Sequence, residues 1–223
     1  MSRFLVVGAG LAGATLARLL TDDGQEVTII DRRDKIAGNC RTENKNGIDI
    51  HVYGAHIFHT SNENVWRFVN RFADFNRFIN SPIAVTKEGE FYNLPFNMNT
   101  FSKMFNTRWP SEVEEIIETE KEEYIKTHPN IENLEDQAIN MVGTTIYNKL
   151  VKEYTEKQWN KKCSELDPSI IKRLPLRMTY NNNYFNDKYQ GIPKEGYTDM
   201  IENMIYDIPI ILETDFNELK IEF

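Results

Sequence analysis

Arg3-Phe4-Leu5-Val6-Val7-Gly8-Ala9-Gly10-Leu11-Ala12-Gly13 opens the chain, and Asp31 closes the later run Glu26-Val27-Thr28-Ile29-Ile30. The first five residues are an apolar, strand-forming run that stops at Gly8, and from residue 11 to residue 20 apolar positions recur at helical spacing. Strand, tight turn, helix and second strand make a βαβ unit with a parallel, buried sheet. The glycines fall in a G-x-G-x-x-G pattern. Gly8 permits the turn, Gly10 lets backbone approach a pyrophosphate, and Gly13 lets helix and strand pack closely; the helix that begins at Leu11 attracts the anion with its amino terminus. Asp31, at the end of the second strand, can accept hydrogen bonds from both hydroxyls of a ribose. An adenine dinucleotide is expected, and these residues alone leave NAD and FAD open.

The 223 residues suffice for one large domain or two small ones. Hydrophobic residues at 40% and charged residues at 27% place the chain among ordinary folded proteins, not disordered ones. A net charge of -8 argues against nucleic-acid binding, so an anionic ligand needs a local cationic cluster. Cys40 and Cys163 are too few and too far apart for a zinc knuckle or a disulfide framework, which fits a reducing, cytoplasmic location and no metal. The apolar run over residues 4–20 is preceded only by Arg3 and is broken by three glycines, so it reads as no signal peptide. No stretch is apolar enough to span a bilayer.

Farther along, Val65, Phe68, Val69 and Phe72 define one apolar helix face. Ser111 and Glu114 have the form of a capping box opening a charged helix that runs to His128 and stops at Pro129. Leu134, Ala138, Val142, Ile146, Leu150 and Tyr154 step by four, with Ile139 and Tyr147 widening the stripe, which predicts a second, helical domain. Residues 155–197 carry three prolines and many Tyr, Asn and Arg residues, the composition of a functional loop. Residues 208–223 alternate weakly as a strand. The expected layout is a Rossmann-like α/β dinucleotide-binding part over residues 1–78, a mainly helical part with a mobile loop over 79–190, and a return toward the first domain over 191–223.

Two tiers of resemblance sharpen this reading. Residues 31–39, Asp31-Arg32-Arg33-Asp34-Lys35-Ile36-Ala37-Gly38-Asn39, resemble the stretch after the second strand in amine-oxidase-like FAD proteins, with Ala37-Gly38 where that class has a Gly-Gly pair. Gly54-Ala55-His56-Ile57-Phe58-His59-Thr60, Tyr154-Thr155-Glu156-Lys157-Gln158-Trp159, Lys172-Arg173-Leu174-Pro175-Leu176-Arg177 and the motif from Asn183 to Pro193 are similar, in the same order, to the UDP-galactopyranose mutase family. The resemblance implies FAD, reduced for turnover, with Gly8, Gly10, Leu11, Gly13, Asp31, Arg32, Gly38, Asn39, His56 and His59 around it. It implies interconversion of UDP-galactopyranose and UDP-galactofuranose through a covalent adduct with the reduced flavin, for galactofuranose-containing surface polysaccharide. Arg173 would grip the diphosphate, Tyr184 stack on uracil and Trp159 shape the sugar pocket, with Tyr154, Thr155 and, across a one-residue gap, Asn80 near the nucleotide. His59 and Arg173 are the residues expected to act in the chemistry. A homodimer is compatible with the family.

The chain departs from the family at Glu153 and Asn160, where glycine is usual. Family members also run well past residue 223 and return to the flavin with further strands, an arginine and tyrosines, so the carboxy-terminal strands are expected to be missing and the chain to be weak or inactive alone. The competing expectations are an FAD-dependent amine-oxidase-like oxidoreductase, a non-catalytic FAD- or UDP-binding fragment and, last, an NAD dehydrogenase.

Overall fold

The computed structural model describes residues 2–172, 174 and 176–219. Contacts divide the chain into two units, Met1–Ile79 with Asp187–Phe223, and Asn80–Asn186. The first begins with β1 (Arg3–Val7), α1 (Leu11–Asp22) and β2 (Glu26–Ile30). β1 and β2 are parallel, in register from Arg3 opposite Glu26 to Val7 opposite Ile30. Ala14 and Ala17 of α1 are fully buried, and such small residues let a helix lie close to a sheet. The approach is closest at Gly13, where a Cβ would overlap the carbonyl oxygen of Gly8. β3 (Thr42–Lys45) and β4 (Ile48–His51) form a hairpin whose turn residues Asn46 and Gly47 have φ 55° and 82°, the pair a tight hairpin prefers. β5 (Phe58–Thr60) leads into α2 (Glu63–Val69), capped by the Asn62 side chain, which accepts from the N–H groups of Asn64 and Val65. The apolar face of α2 differs from the expected one: Val65 is exposed, while Trp66 packs between Phe75 and Tyr189 at ring distances of 5.0 and 5.2 Å. Phe72 lies beyond the helix end yet still against the core.

The second unit contains the hairpin β6 (Ile83–Val85) and β7 (Phe91–Asn93), then β8 (Phe96–Asn97), α3 (Met98–Phe105), α4 (Pro110–Ile125), α5 (Leu134–Ile146), a π-helical turn Tyr147–Val151, α6 (Lys152–Trp159) and β9 (Leu176–Arg177). The expected cap at Ser111 is displaced. Glu112 reaches back to accept from the N–H groups of Arg108 and Trp109 at 3.0 and 3.1 Å, and Pro110 occupies the first turn, where a missing N–H leaves no bond unmade. α4 also ends at Ile125, short of His128. In α5 the stripe holds: Leu134, Ala138, Val142 and Ile146 are fully buried. It does not run on to Tyr154. Gly143, at φ 79° and ψ 166°, breaks the helix, and the Glu120 carboxylate accepts the Thr145 N–H at 2.9 Å where it restarts. The π turn that follows adds a residue to the turn and rotates the later positions, so Tyr154 is 69% exposed.

The return to the first unit comes at Asp187, not at residue 191, because β10 (Tyr189–Gly191) pairs antiparallel with β5. α7 (Gly196–Ile205) then buries Tyr197, Met200, Ile201 and Met204, and β11 (Ile210–Ile211) joins β2 in parallel, giving the sheet order β1-β2-β11. The weak alternation after residue 208 thus yields only a two-residue strand; Thr214 and Asp215 lie outside it, Asp215 capping a short 3-10 helix over Phe216–Glu218, and residues 220–223 are outside the described residues. Among the described residues no helix is long and apolar enough to cross a membrane.

Gly13→Ala should lower the unfolding free energy by at least about 2 kcal/mol, since backbone cannot yield to the new methyl as a side chain could. Gly89→Ala, at φ 81° with open space around it, should cost only the ~1–2 kcal/mol of a left-handed residue. Urea denaturation of both variants checks the difference.

Candidate functional site

The first candidate lies at the glycine turn. The Gly8 N–H donates to the Ile30 carbonyl at 2.7 Å, Gly8 turns at φ 107°, and Gly10 precedes α1 as its cap. No described side chain caps α1 and its first turn holds no acid, so the amides and the positive end of the dipole there remain suited to an anion. Asp31 is 8% exposed and accepts the Ala9 N–H on Oδ2 at 2.7 Å and the Arg33 N–H on Oδ1 at 2.8 Å. Its carboxylate therefore first fixes the turn, and each oxygen keeps a lone pair for a ribose hydroxyl. The Ala37 N–H donates to the Ala9 carbonyl at 2.9 Å, and a Cβ on Gly38 would meet the Gly10 Cα at 3.0 Å. Ala37 itself sits at φ 74°, which gives the glycine usual at that position a conformational reason. The uncapped helix start, the open space around Gly8 and the buried carboxylate fit a dinucleotide such as FAD.

Of the two adjacent arginines, Arg32 is exposed, whereas Arg33 is engaged: it donates to Asn39 Oδ1 at 3.0 Å and lies 5.0 Å over the Tyr53 ring. The His56 ring is half-buried, edge-on to Tyr197 at 6.4 Å, and its backbone N–H donates to His51 Nδ1 at 3.0 Å. Burial, then the proximity of His56, pushes the pKa of His51 down, which keeps that acceptor neutral at pH 7. His59, on β5, meets Asp187 at 2.7 Å, and Ser61 donates to the other oxygen of the same carboxylate at 2.7 Å. Arg33, Tyr53, Asp187 and Ser61 were not singled out from the sequence. Asp187 stood inside a quoted motif, but only the β5–β10 pairing brings it to His59.

The second candidate is a groove of about 1470 Å³ within the second unit. Asn80, Tyr154, Thr155 and Tyr184 all line it. Asn80 is fixed through its carbonyl, which accepts the Tyr184 N–H at 2.7 Å, and the Tyr184 carbonyl accepts from Arg177 Nη2 at 2.8 Å. Thr155 is buried. Trp159 is half exposed at the end of α6 and is not in the groove wall, and Arg173 lies outside the described residues. The wall carries Lys87, Lys149 and Lys157 together with Glu88, Glu90 and Glu153, so its lysines are balanced by as many carboxylates and are not the purely cationic cluster expected for an anionic ligand. Lys149 pairs with Glu90 at 2.6 Å, which raises the pKa of its ammonium, and Lys87 pairs with Glu153 at 2.5 Å. Glu153 thus has a partner at a place where the family carries glycine. Asn160, the other departure, closes α6 at φ 51°, a left-handed conformation that glycine favours and asparagine tolerates.

A family model described as UDP-galactopyranose mutase matches residues 149–222, and one described as an NAD(P)-binding Rossmann-like domain matches residues 6–72. The chain is 42% identical over 217 residues to a probable UDP-galactopyranose mutase of Klebsiella pneumoniae, covering 95% of this chain and 56% of that protein. It is 39% identical over 208 residues to a dTDP-fucopyranose mutase of Escherichia coli, covering 92% and 54%. The chain thus spans about half the length of these relatives. A crystal structure of a reduced UDP-galactopyranose mutase superposes with a TM-score of 0.67 over 95% of this chain and 48% of the other, at 15% identity, and so shares the fold.

Hydrogen bonds from Ser61, then His59, hold the pKa of the Asp187 carboxyl below the usual aspartate value. The sign follows from the depressed value: any stabilisation from this group is present above the range where an unfolded-chain aspartate titrates and is lost as pH falls through the lower folded-state value. A carbon-detected NMR titration should show Asp187 titrating below ordinary aspartates, with Ser61→Ala moving it back upward.

Proposed function

The chain belongs to the UDP-galactopyranose mutase family, and from that premise we propose that it serves the interconversion of UDP-galactopyranose and UDP-galactofuranose, with FAD at the glycine turn and the nucleotide in the groove. The observation that carries this is convergence: Asn80, the adjacent pair Tyr154 and Thr155, and Tyr184, from three separate stretches of the chain, line one groove. Its volume of about 1470 Å³ exceeds the ~300–1,000 Å³ of ordinary small-molecule pockets, which leaves room for a nucleotide sugar.

The chemistry a bound reduced FAD supplies is nucleophilic, directed at the anomeric carbon of the sugar as the nucleotide departs. The protein's own residues do the rest. The start of α1 and Asp31 hold the cofactor by its pyrophosphate and ribose. Tyr184 offers an aromatic face to the base, and Thr155 a hydroxyl at the groove wall. Arg173 supplies the planar, bidentate cation suited to a diphosphate whose charge grows as the bond to the sugar breaks. Lys87 and Lys149 can exchange a carboxylate partner for phosphate, since ion pairs this exposed are weak. In this reading His59 supplies the imidazole of the cofactor site. A cytoplasmic location suits two unpaired, buried cysteines. Because the chain spans about half the length of its relatives, it is expected to turn over weakly or not at all alone.

The Escherichia coli relative, named a dTDP-fucopyranose mutase, favours a second reading in which the substrate is a dTDP-6-deoxysugar. Titration of the FAD-loaded chain with UDP and with dTDP, followed by the flavin spectrum, separates them: a several-fold preference for UDP is expected, and a preference for dTDP supports the second. Arg173→Ala should weaken UDP binding roughly 10-fold or more, consistent with the ~1.5–3 kcal/mol of a hydrogen bond to a charged group. Tyr184→Ala should cost about 3- to 10-fold through lost stacking. Failure to take up FAD, or indifference of the bound flavin to both nucleotides, sinks the mutase reading.

A further inference from the structure

β5 and β10 are antiparallel, with His59 opposite Gln190. Asp187 lies just ahead of β10 and Ser61 just after β5, so the same pairing that registers the strands places the carboxylate beside the imidazole. Oδ2 stands 2.7 Å from His59 Nδ1, and Oδ1 receives the Ser61 hydroxyl at 2.7 Å. Ser61 Oγ in turn accepts the Lys188 N–H at 3.4 Å. Both ends of the carboxylate are thus anchored, and it cannot swing away from the ring without giving up Ser61.

An ionised carboxylate only accepts hydrogen bonds. The nitrogen facing it must carry the hydrogen whether the imidazole is charged or neutral. In the neutral ring only one nitrogen does so, and the lone pair then belongs to Nε2. A carboxylate behind a histidine fixes both the tautomer and the plane of the ring, the arrangement by which supporting residues orient imidazoles at metal and catalytic sites. A clamp between two strands would not need a histidine: any donor would serve.

We propose that Asp187 is a positioning residue that holds His59 as the Nδ1–H tautomer and so presents Nε2 as a hydrogen-bond acceptor to the FAD site. This rests on the reading of His59 as a cofactor-site residue. Its range is narrow: Asp187 does not touch the reacting groups and acts only through the ring.

The test uses the intact 223-residue chain and needs no sugar substrate. Long-range ¹H–¹⁵N NMR at alkaline pH, where the ring is neutral, reads the tautomer of His59, and fluorescence titration reads FAD affinity. Wild type should show the hydrogen on Nδ1, and Asp187→Asn should redistribute it toward Nε2. Asp187→Asn and His59→Gln should each weaken FAD about 3- to 10-fold, and the double variant should be no weaker than the worse single one, because both changes remove the same acceptor. Ser61→Ala keeps the carboxylate and should give a smaller effect, which covers the case in which Asp187→Asn folds poorly. Three results would overturn the proposal: a wild-type Nε2–H tautomer, an altered tautomer with FAD affinity unchanged, or effects of Asp187 and His59 that multiply independently. A chain that meets these expectations yet ignores UDP and dTDP would sink the mutase reading and leave the positioning role standing.

Discussion

The first unit depends on how closely α1 approaches the end of β1. Gly13 lies so near the Gly8 carbonyl that no side chain fits between them, and this contact sets the height of the helix over the sheet. Asp31 then ties three segments to that turn. Its carboxylate holds the Ala9 and Arg33 amides, its own N–H donates to the Ile211 carbonyl at 3.1 Å, and its carbonyl accepts the Thr214 N–H at 2.9 Å. Those bonds reach from the first strand to the last. A substitution at Asp31 would therefore disturb the turn and the sheet together with any cofactor contact, and loss of binding alone would not isolate a ligand role.

Within the second unit the decisive feature is the break at Gly143. Glu120 occupies the space a side chain there would need and takes the amide at the restart of the helix. The π turn then carries Tyr154 out of the buried stripe and into the groove wall. One glycine and one carboxylate thereby convert a core helix into a groove wall. Two of the three lysines in the groove wall, Lys87 and Lys149, are each matched with a glutamate.

Positions where the chain differs from its relatives become intelligible once backbone angles are known. Ala37 and Asn160 both have positive φ, so the glycine expected at each reflects backbone conformation. Asparagine tolerates that region, and alanine does so at a cost of about 1–2 kcal/mol that its burial against the core must offset. Glu153 is different: its partner is Lys87, on the hairpin across the groove.

The βαβ unit, the glycine pattern and the terminal Asp31 were legible in the sequence because they depend on neighbours within one strand, turn and helix, where hydrophobic period and glycine spacing carry the information. The stripe from Leu134 to Ile146 was legible for the same reason. The start of α4, the exposed side of Tyr154, the brevity of the last strand and the pairing of His59 with Asp187 were not. Each turns on a partner distant in sequence or on a single backbone angle: Glu112 reaching back to Arg108, Gly143 yielding to Glu120, β11 meeting β2 for two residues, β10 returning beside β5. Composition and periodicity determined which elements form and which chemistry they can host. Only the folded chain decided which side chains share a carboxylate or a groove, because hydrogen bonds between distant segments depend on register, and register exists only once the strands have met.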